Sequence, residues 1–319
     1  MDLSTNYLGL TLRNPLVASA GPMTQTVAGI RRLAEAGVGA VVLPSLFEEQ
    51  LRLDARAEGP GAPTWPREYL GLISQAAEDA GVPVIASLNG VSPGGWTDYA
   101  SAMQRAGAAA IELNVYYLPG DELIPARDAE RRYTEILTTV KAVVSVPVAV
   151  KLTPYFSSLG EMAVILDHAG ADGLVLFNRF MQTDIHPETF TVSSGFQLSS
   201  PGEAALPRAW ITRLTGRLRG SLAGSTGVES AADVAAYLLA GADVVMTTSS
   251  LLRHGPGHVT VLLDGLRAWM DRKGFGTVGE LRGMLARAPG GEPAYGRIGY
   301  LSAIEQASRA SSGGPVPGP

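Results

Sequence analysis

A single (β/α)8 barrel is the fold class predicted by this 319-residue chain, and three observations predict it. The first is a recurring helix end with glycine just beyond it, followed by an apolar run. Ala36-Gly37 precedes Val38 to Leu43, Ala80-Gly81 precedes Val82 to Leu88, Ala106-Gly107 precedes Ala108 to Leu113, Ala169-Gly170 precedes Gly173 to Phe177, and Ala240-Gly241 precedes Ala242 to Thr247. Glycine there accepts the left-handed conformation that ends a helix. The second is that these runs lack polar alternation, the pattern of strands buried on both faces and therefore parallel, with helices outside. The third is the count: eight such strands, in a chain exceeding the roughly 250 residues of a minimal barrel. An open doubly wound sheet is the competitor, but Ala18-Ser19-Ala20-Gly21-Pro22 is not the glycine-rich turn it would carry after its first strand.

Along the chain, Thr5 to Arg13, centred on Leu8-Gly9-Leu10, suggests a short hairpin closing the barrel bottom. Strands are expected at Pro15 to Ala20, Gly39 to Leu43, Val84 to Leu88, Ala110 to Asn114, Val148 to Leu152, Gly173 to Phe177, Ser221 to Gly224 and Val244 to Thr248. Phe47 to Pro66, which includes Glu58-Gly59-Pro60-Gly61-Ala62-Pro63, is expected as a long loop over the catalytic face. Arg179 to Leu206 is an insertion in which Glu188 to Val192 could pair as a small hairpin above the barrel. Residues 1–307 are thus expected as one domain, and Ser308 to Pro319, rich in Ser, Gly and Pro, as a mobile tail.

Composition agrees with an α/β domain, at 46% hydrophobic and 17% charged residues. No apolar run approaches the roughly 20 residues of a membrane span, and Met1 to Asn6 lacks the character of a secretion signal, so a cytoplasmic protein is expected. A net charge of -5 argues against a nucleic-acid partner. Zero cysteines remove disulfides, thiolate nucleophiles and cysteine-ligated clusters of its own, and no His, Asp and Glu grouping has metal-ligand spacing. Arg127, Arg131 and Arg132 read as a solvated helix face interleaved with acids, and His168, His254 and His258 read as ordinary surface or turn residues.

A barrel site lies at the C-terminal ends of the strands. The polar or small residues there are Ser19, Ser45, Ser87, Asn89, Asn114, Lys151, Asn178, Gly224 and Thr248. Two asparagines and a lysine suit a heteroaromatic ring with carbonyl and imide edges, since amides donate and accept while lysine neutralises developing negative charge. Strands seven and eight end in Ala223-Gly224-Ser225-Thr226-Gly227 and Thr247-Thr248-Ser249-Ser250, small residues where barrels commonly bind phosphate. A ring site plus a phosphate site points to FMN.

Taken together, Asn14-Pro15 through Ala20-Gly21, Glu112-Leu113-Asn114, Val150-Lys151-Leu152-Thr153-Pro154-Tyr155-Phe156, Phe177-Asn178, Gly224 to Glu229 and Gly241-Ala242-Asp243 through Gly255-Pro256 resemble the dihydroorotate dehydrogenases over roughly Asn6 to Lys273. The nearest resemblance is to the bacterial dihydroorotate dehydrogenase-like proteins. It implies an FMN-dependent oxidoreductase acting on a CH–CH group, with hydride passing between flavin N5 and a small organic substrate. It further implies that Lys151 and Asn114 are catalytic. Ser19, Ala20, Gly21, Ser45, Asn114, Lys151, Asn178, Gly224, Thr226, Gly227, Thr248 and Ser249 would bind the cofactor. Asn89, Tyr116, Asn178, Arg179 and His186 would face substrate, His186 because the insertion overhangs the mouth.

The chain also departs from that family. Aligning Leu113-Asn114 puts Tyr117 where relatives carry a Cys or Ser base. A phenol ionises near pH 10, so Tyr117 is a base only if a cation lowers that value, and Lys151 is the obvious candidate; an acid and an aromatic wall are the other roles open to it. Pro63-Thr64-Trp65-Pro66-Arg67 replaces the family's pyrimidine loop and Pro44 a flavin-contacting lysine, so a substrate other than dihydroorotate is expected. An external electron donor or acceptor and a homodimer are expected on resemblance alone. A genuine dihydroorotate dehydrogenase with an atypical base, a Schiff-base lyase using Lys151, and an FMN-binding module without turnover are the alternatives.

Overall fold

The computed structural model describes residues 1–56, 65–92, 94, 96–117, 120, 123–195, 197–286 and 297–311. The chain divides into two compact units, Met1–Ala286 and Arg287–Pro319.

The first unit opens with an antiparallel hairpin, β1 (Thr5–Tyr7) and β2 (Leu10–Leu12). Its turn uses left-handed backbone at Leu8 and Gly9. There follow β3 (Leu16–Ala18), α1 (Val27–Ala36), β4 (Ala40–Phe47), α2 (Glu48–Arg56), α3 (Trp65–Asp79), β5 (Val84–Asn89), α4 (Thr97–Arg105), β6 (Ala110–Asn114), α5 (Ala126–Lys141), β7 (Val148–Leu152), α6 (Leu159–His168) and β8 (Gly173–Leu176). A second hairpin, β9 (Gln182–His186) with β10 (Thr191–Gly195), precedes α7 (Ala205–Leu214), β11 (Ser221–Ser225), α8 (Ala231–Ala240), β12 (Val244–Thr247), α9 (Ser249–His254), α10 (His258–Lys273) and α11 (Val278–Leu281). Strands β3 to β8, β11 and β12 form a closed parallel barrel of eight, with β12 pairing β3 and β11 pairing β8. The second unit contributes α12 (Arg297–Ser311).

The glycines after α1 and α8 do what their position predicts: Gly37 and Gly241 have φ of 112° and 114°, and each donates its N–H back to the last helical turn. The same two helices begin with side-chain caps. The hydroxyl of Thr26 accepts from Gly29 N–H, and that of Ser230 from Asp233 N–H.

Strand residues alternate between two apolar clusters. Leu16, Val41, Leu43, Ile111, Leu113, Val148, Val150, Leu174 and Val245 pack outward against the helices. Val17, Ala40, Val42, Ala110, Ala149, Val175, Ala223, Val244 and Met246 face the barrel axis with Tyr7 and Leu12 of the hairpin. Burying each branched side chain of this kind contributes about 1.5–3 kcal/mol. The small interior alanines leave room for Tyr7, which is fully buried, so the β1–β2 hairpin closes the barrel bottom as expected. It is pinned there by Leu8 N–H to Ser221 Oγ (3.0 Å) and Thr5 Oγ1 to Asp243 O (3.0 Å).

Three expectations are corrected. The segment after the second barrel strand is not all loop: β4 runs through Phe47 and α2 follows immediately, with Glu48 and Glu49 in its first turn. Acidic residues favour a helix start, while Glu58 to Pro63, the Gly-Pro stretch, lies outside the described residues. The insertion does form a hairpin, but β9 and β10 flank Glu188 to Phe190, which make the turn. The tail expected from Ser308 instead continues α12 to Ser311; residues 312–319 are outside the described set. No helix among the described residues is long and apolar enough to cross a membrane.

Candidate functional site

Side-chain alternation carries into the mouth of the barrel. Outward Ile111, Leu113 and Val150 put Glu112, Asn114 and Lys151 inside, and β6 pairs Asn114 with Lys151 of β7. These strand ends open into a cavity of about 490 Å³, lined among others by Ser19, Ala20, Gly21, Asn114, Lys151, Phe177, Asn178, Arg179, Thr226, Gly227, Thr248 and Ser249. Lys151 is almost wholly buried, its Nζ 3.5 Å from Ser19 Oγ and 3.4 Å from Glu112 Oε1. Asn178 Nδ2 donates to Asn114 Oδ1 at 2.7 Å, fixing the two amides as one unit at the rim.

The cavity lining from the last two barrel strands is rich in backbone and small residues. Thr226 and Gly227 have positive φ of 82° and 70°, strained for threonine and natural for glycine. The Tyr237 hydroxyl lies 2.8 and 2.7 Å from the carbonyls of Ser225 and Thr226, holding that turn. A Cβ on Gly227 would sit 2.7 Å from Ala204 N, and one on Gly21 would sit 2.5 Å from Thr248 Cγ2. Thr248 Oγ1 donates to Ser19 O at 3.0 Å, joining the ends of the last and first barrel strands beneath the cavity.

Several expected residues lie elsewhere. Gly224 does not line the cavity: it faces outward, where a Cβ would meet the Tyr237 ring at 2.3 Å, and its neighbour Ser225 takes the inward place. Ser45 shares a hydroxyl hydrogen bond with Ser87 (2.7 Å) and lines an adjacent cavity with Pro44, Phe47, Trp65 and Tyr69. Asn89 is buried at the end of β5. The Tyr116 hydroxyl accepts from Met181 N–H and its ring packs on Phe180, centroids 4.3 Å apart. His186 is tied to Ser193 within the exposed hairpin, Nε2 to Oγ 2.9 Å. Tyr117 lines a separate cavity of about 110 Å³ between β7 and α5, with the Arg132 guanidinium 4.3 Å from its ring centroid. Arg132 therefore does more than coat a solvated face, whereas Arg131 pairs with Asp128 and Glu135 as expected.

The sequence assigns residues 197–199 and Glu112 no site role, and Arg179, expected to face substrate, is tied back by the fold. Gln197, Leu198 and Ser199, from the end of the strand-six insertion, fold back onto the cavity. Ser199 Oγ accepts from Gly227 N–H, its N–H donates to Ser249 Oγ, and Arg253 donates to its carbonyl. Arg179 reaches the cavity but is held by Glu203 and by Gln197 O; burial opposes ionisation of Glu203, and the Ser200 N–H bond together with Arg179 outweighs it, keeping that carboxyl below its ordinary pKa. Glu112 pairs with Lys151 from below. Its signals in the sequence were inward parity on a strand otherwise apolar and its place in the Glu112-Leu113-Asn114 segment.

A closed (β/α)8 barrel whose mouth cavity is lined by a lysine, two amides and a tight glycine and hydroxyl turn defines a class of barrel oxidoreductase built around a phosphorylated ring cofactor. The dihydroorotate dehydrogenase family model matches residues 60–270. The chain belongs to the dihydroorotate dehydrogenase family and, as a member, is an FMN-dependent oxidoreductase acting on a CH–CH group. It is 28% identical over 304 residues to the dihydroorotate dehydrogenase B (NAD(+)) catalytic subunit of Methanothermobacter thermautotrophicus, covering 88% of this chain and 98% of the relative. The proteins of the same name from Methanocella arvoryzae and Methanosarcina acetivorans are 32% and 30% identical, covering 86% and 88% of this chain and 94% of each relative. The residues present fit FMN: a buried ammonium, two hydrogen-bonded amides and the glycine and hydroxyl residues that end the last two barrel strands line one cavity.

Proposed function

We propose that the 490 Å³ cavity is the FMN site and that the protein transfers hydride between flavin and a small organic substrate other than dihydroorotate. The observation that carries this reading is the convergence of Lys151, Asn114 and Asn178 on one cavity that the Thr226-Gly227 and Thr248-Ser249 turns also line. FMN, when bound, supplies a two-electron acceptor for hydride. Ala20 and Gly21 pack beneath the ring, and the backbone around Gly227, Thr248 and Ser249 holds the phosphate. Lys151 presents an ammonium where negative charge develops on reduction. Asn114 and Asn178 orient the ring edge and the substrate.

The substrate reading rests on three features. Pro44 stands where the family resemblance expects a flavin-contacting lysine, Tyr117 lies against α5, and the adjacent cavity is lined by Phe47, Trp65, Tyr69 and Leu72 with no lysine or arginine among its described lining residues. An anionic pyrimidine suits such a wall poorly; an uncharged, flat organic substrate suits it well. Dihydroorotate oxidation is the second reading, favoured by the names of the relatives. Electrons are exchanged with an external partner, and the protein works in the cytoplasm as a homodimer. Exposed Ile185, Phe190 and Val192 on the hairpin offer apolar surface for that association.

Purified protein is expected to be yellow, and an anaerobic screen of donors and acceptors to find a pair that cycles its FMN without dihydroorotate. Turnover with dihydroorotate at rates matching any other donor would overturn the substrate reading, and a colourless protein that takes up no FMN would overturn the site. Lys151→Met is expected to lower kcat about 100-fold with folding intact. Borohydride trapping of Lys151 by a carbonyl substrate would instead establish the Schiff-base alternative.

A further inference from the structure

Glu112 is almost wholly buried inside the barrel, one interior layer below Lys151, and lies outside the lining of the cavity. The other buried carboxylates engage partners through both oxygens. Asp167 accepts from Arg219 N and Nε and from Gly220 N; Glu48 from Val91 N, Ser92 N and Ser92 Oγ. Asp243 accepts from Leu222 N and pairs with Arg282. Glu112 differs. Its Oε1 meets only the Lys151 ammonium, at 3.4 Å, and its Oε2 has no partner among the described residues. Beneath it the Tyr7 hydroxyl, also buried and without a partner among the described residues, is driven upward in pKa by burial and then by the charges of Glu112 and Asp243.

Burying an ion pair with one carboxylate oxygen unsatisfied costs more desolvation than its attraction returns, so the fold gains little from this pair that an apolar residue would not supply. Its position supplies the other explanation. We infer that Glu112 is a positioning and charge-balancing residue for Lys151: it holds the ammonium at the cavity floor and offsets part of its charge, lowering the reduction potential of bound FMN. The inference rests on the cavity being the FMN site. Removing the negative charge leaves the ammonium uncompensated, so the anionic reduced flavin gains more than the neutral oxidised form.

The test is the ratio of dissociation constants for oxidised and reduced FMN, measured anaerobically on apoprotein reconstituted with each form. In Glu112→Gln, nearly isosteric, the ratio of oxidised to reduced constants is expected to rise about tenfold, a positive shift of about 30 mV for a two-electron couple. Lys151→Met is expected to lower it. In the Lys151→Met background Glu112→Gln is expected to add less than in the parent, because the ammonium that the carboxylate offsets is gone. Glu112→Met, neutral and similar in length, is the second variant and is expected to behave as Gln does. A ratio equal to that of the unsubstituted protein in a folded neutral variant overturns the inference, as does a lower melting temperature with the ratio unchanged, which would make Glu112 purely structural. If the unsubstituted protein binds neither form of FMN, the assignment of the cavity fails instead.

Discussion

Gly227 and Tyr117 illustrate how single residues divide between shaping the cavity and flanking it. At Gly227 two constraints coincide, a positive φ and a Cβ position 2.7 Å from the Ala204 nitrogen. Gly227→Ala is therefore expected to cost at least about 2 kcal/mol in denaturant unfolding and to weaken FMN binding, because the turn and Ser199 must move together. Tyr117→Phe is expected to keep FMN and to hold turnover within about threefold in a steady-state assay, since the ring is seated on Arg132 and outside the cavity. A larger loss with retained FMN would restore proton transfer to it. Lys151, Asn114 and Asn178 were legible in the sequence because each follows an apolar run by a fixed parity. Tyr117 was not, because the chain leaves strand pairing after Asn114 and parity no longer says which way a side chain points. Gly224 failed for the opposite reason: parity held, and placed it outward.

At the scale of elements, α2 and the turn after β5 are joined through Glu48. Burial opposes its ionisation, but the Ser92 hydroxyl, the Val91 and Ser92 N–H groups and Arg52 together hold its carboxyl below the ordinary value of 4.5. A depressed carboxyl adds stability that is present above the unfolded-state value and lost as pH falls through the folded one. Urea unfolding of the parent protein is thus expected to show stability falling as pH drops from about 5 to about 3, and Glu48→Gln to lose less over that interval. The eight barrel strands were readable because burial on both faces leaves continuous apolar runs, and the caps because glycine and hydroxyl residues have fixed places at helix ends. The register of β9 and β10 was not, because their residues are exposed throughout and no buried face fixes which residues turn. The return of 197–199 to the cavity depends on contacts with Gly227, Ser249 and Arg253, distant in sequence.

For the molecule as a whole, a ligand that binds only the folded barrel should stabilise it in proportion to the logarithm of its concentration. FMN at about 100 times its Kd is expected to add about 2.7 kcal/mol and to raise the melting temperature measurably in differential scanning fluorimetry. Riboflavin, lacking the phosphate, is expected to raise it less, and equal shifts would remove the phosphate from the glycine turn. The bond from Thr248 to Ser19 has one more consequence. A chain leaving the ribosome exposes Ser19 early and Thr248 only after some 229 further residues. Six neighbouring strands can pair along the way, yet the cavity proposed for FMN is lined from both the first barrel strand made and the last. On that proposal cofactor capture is expected to be a late event in the life of the nascent polypeptide, and a ribosome that stops short of the final strand is expected to release a product that does not retain the flavin.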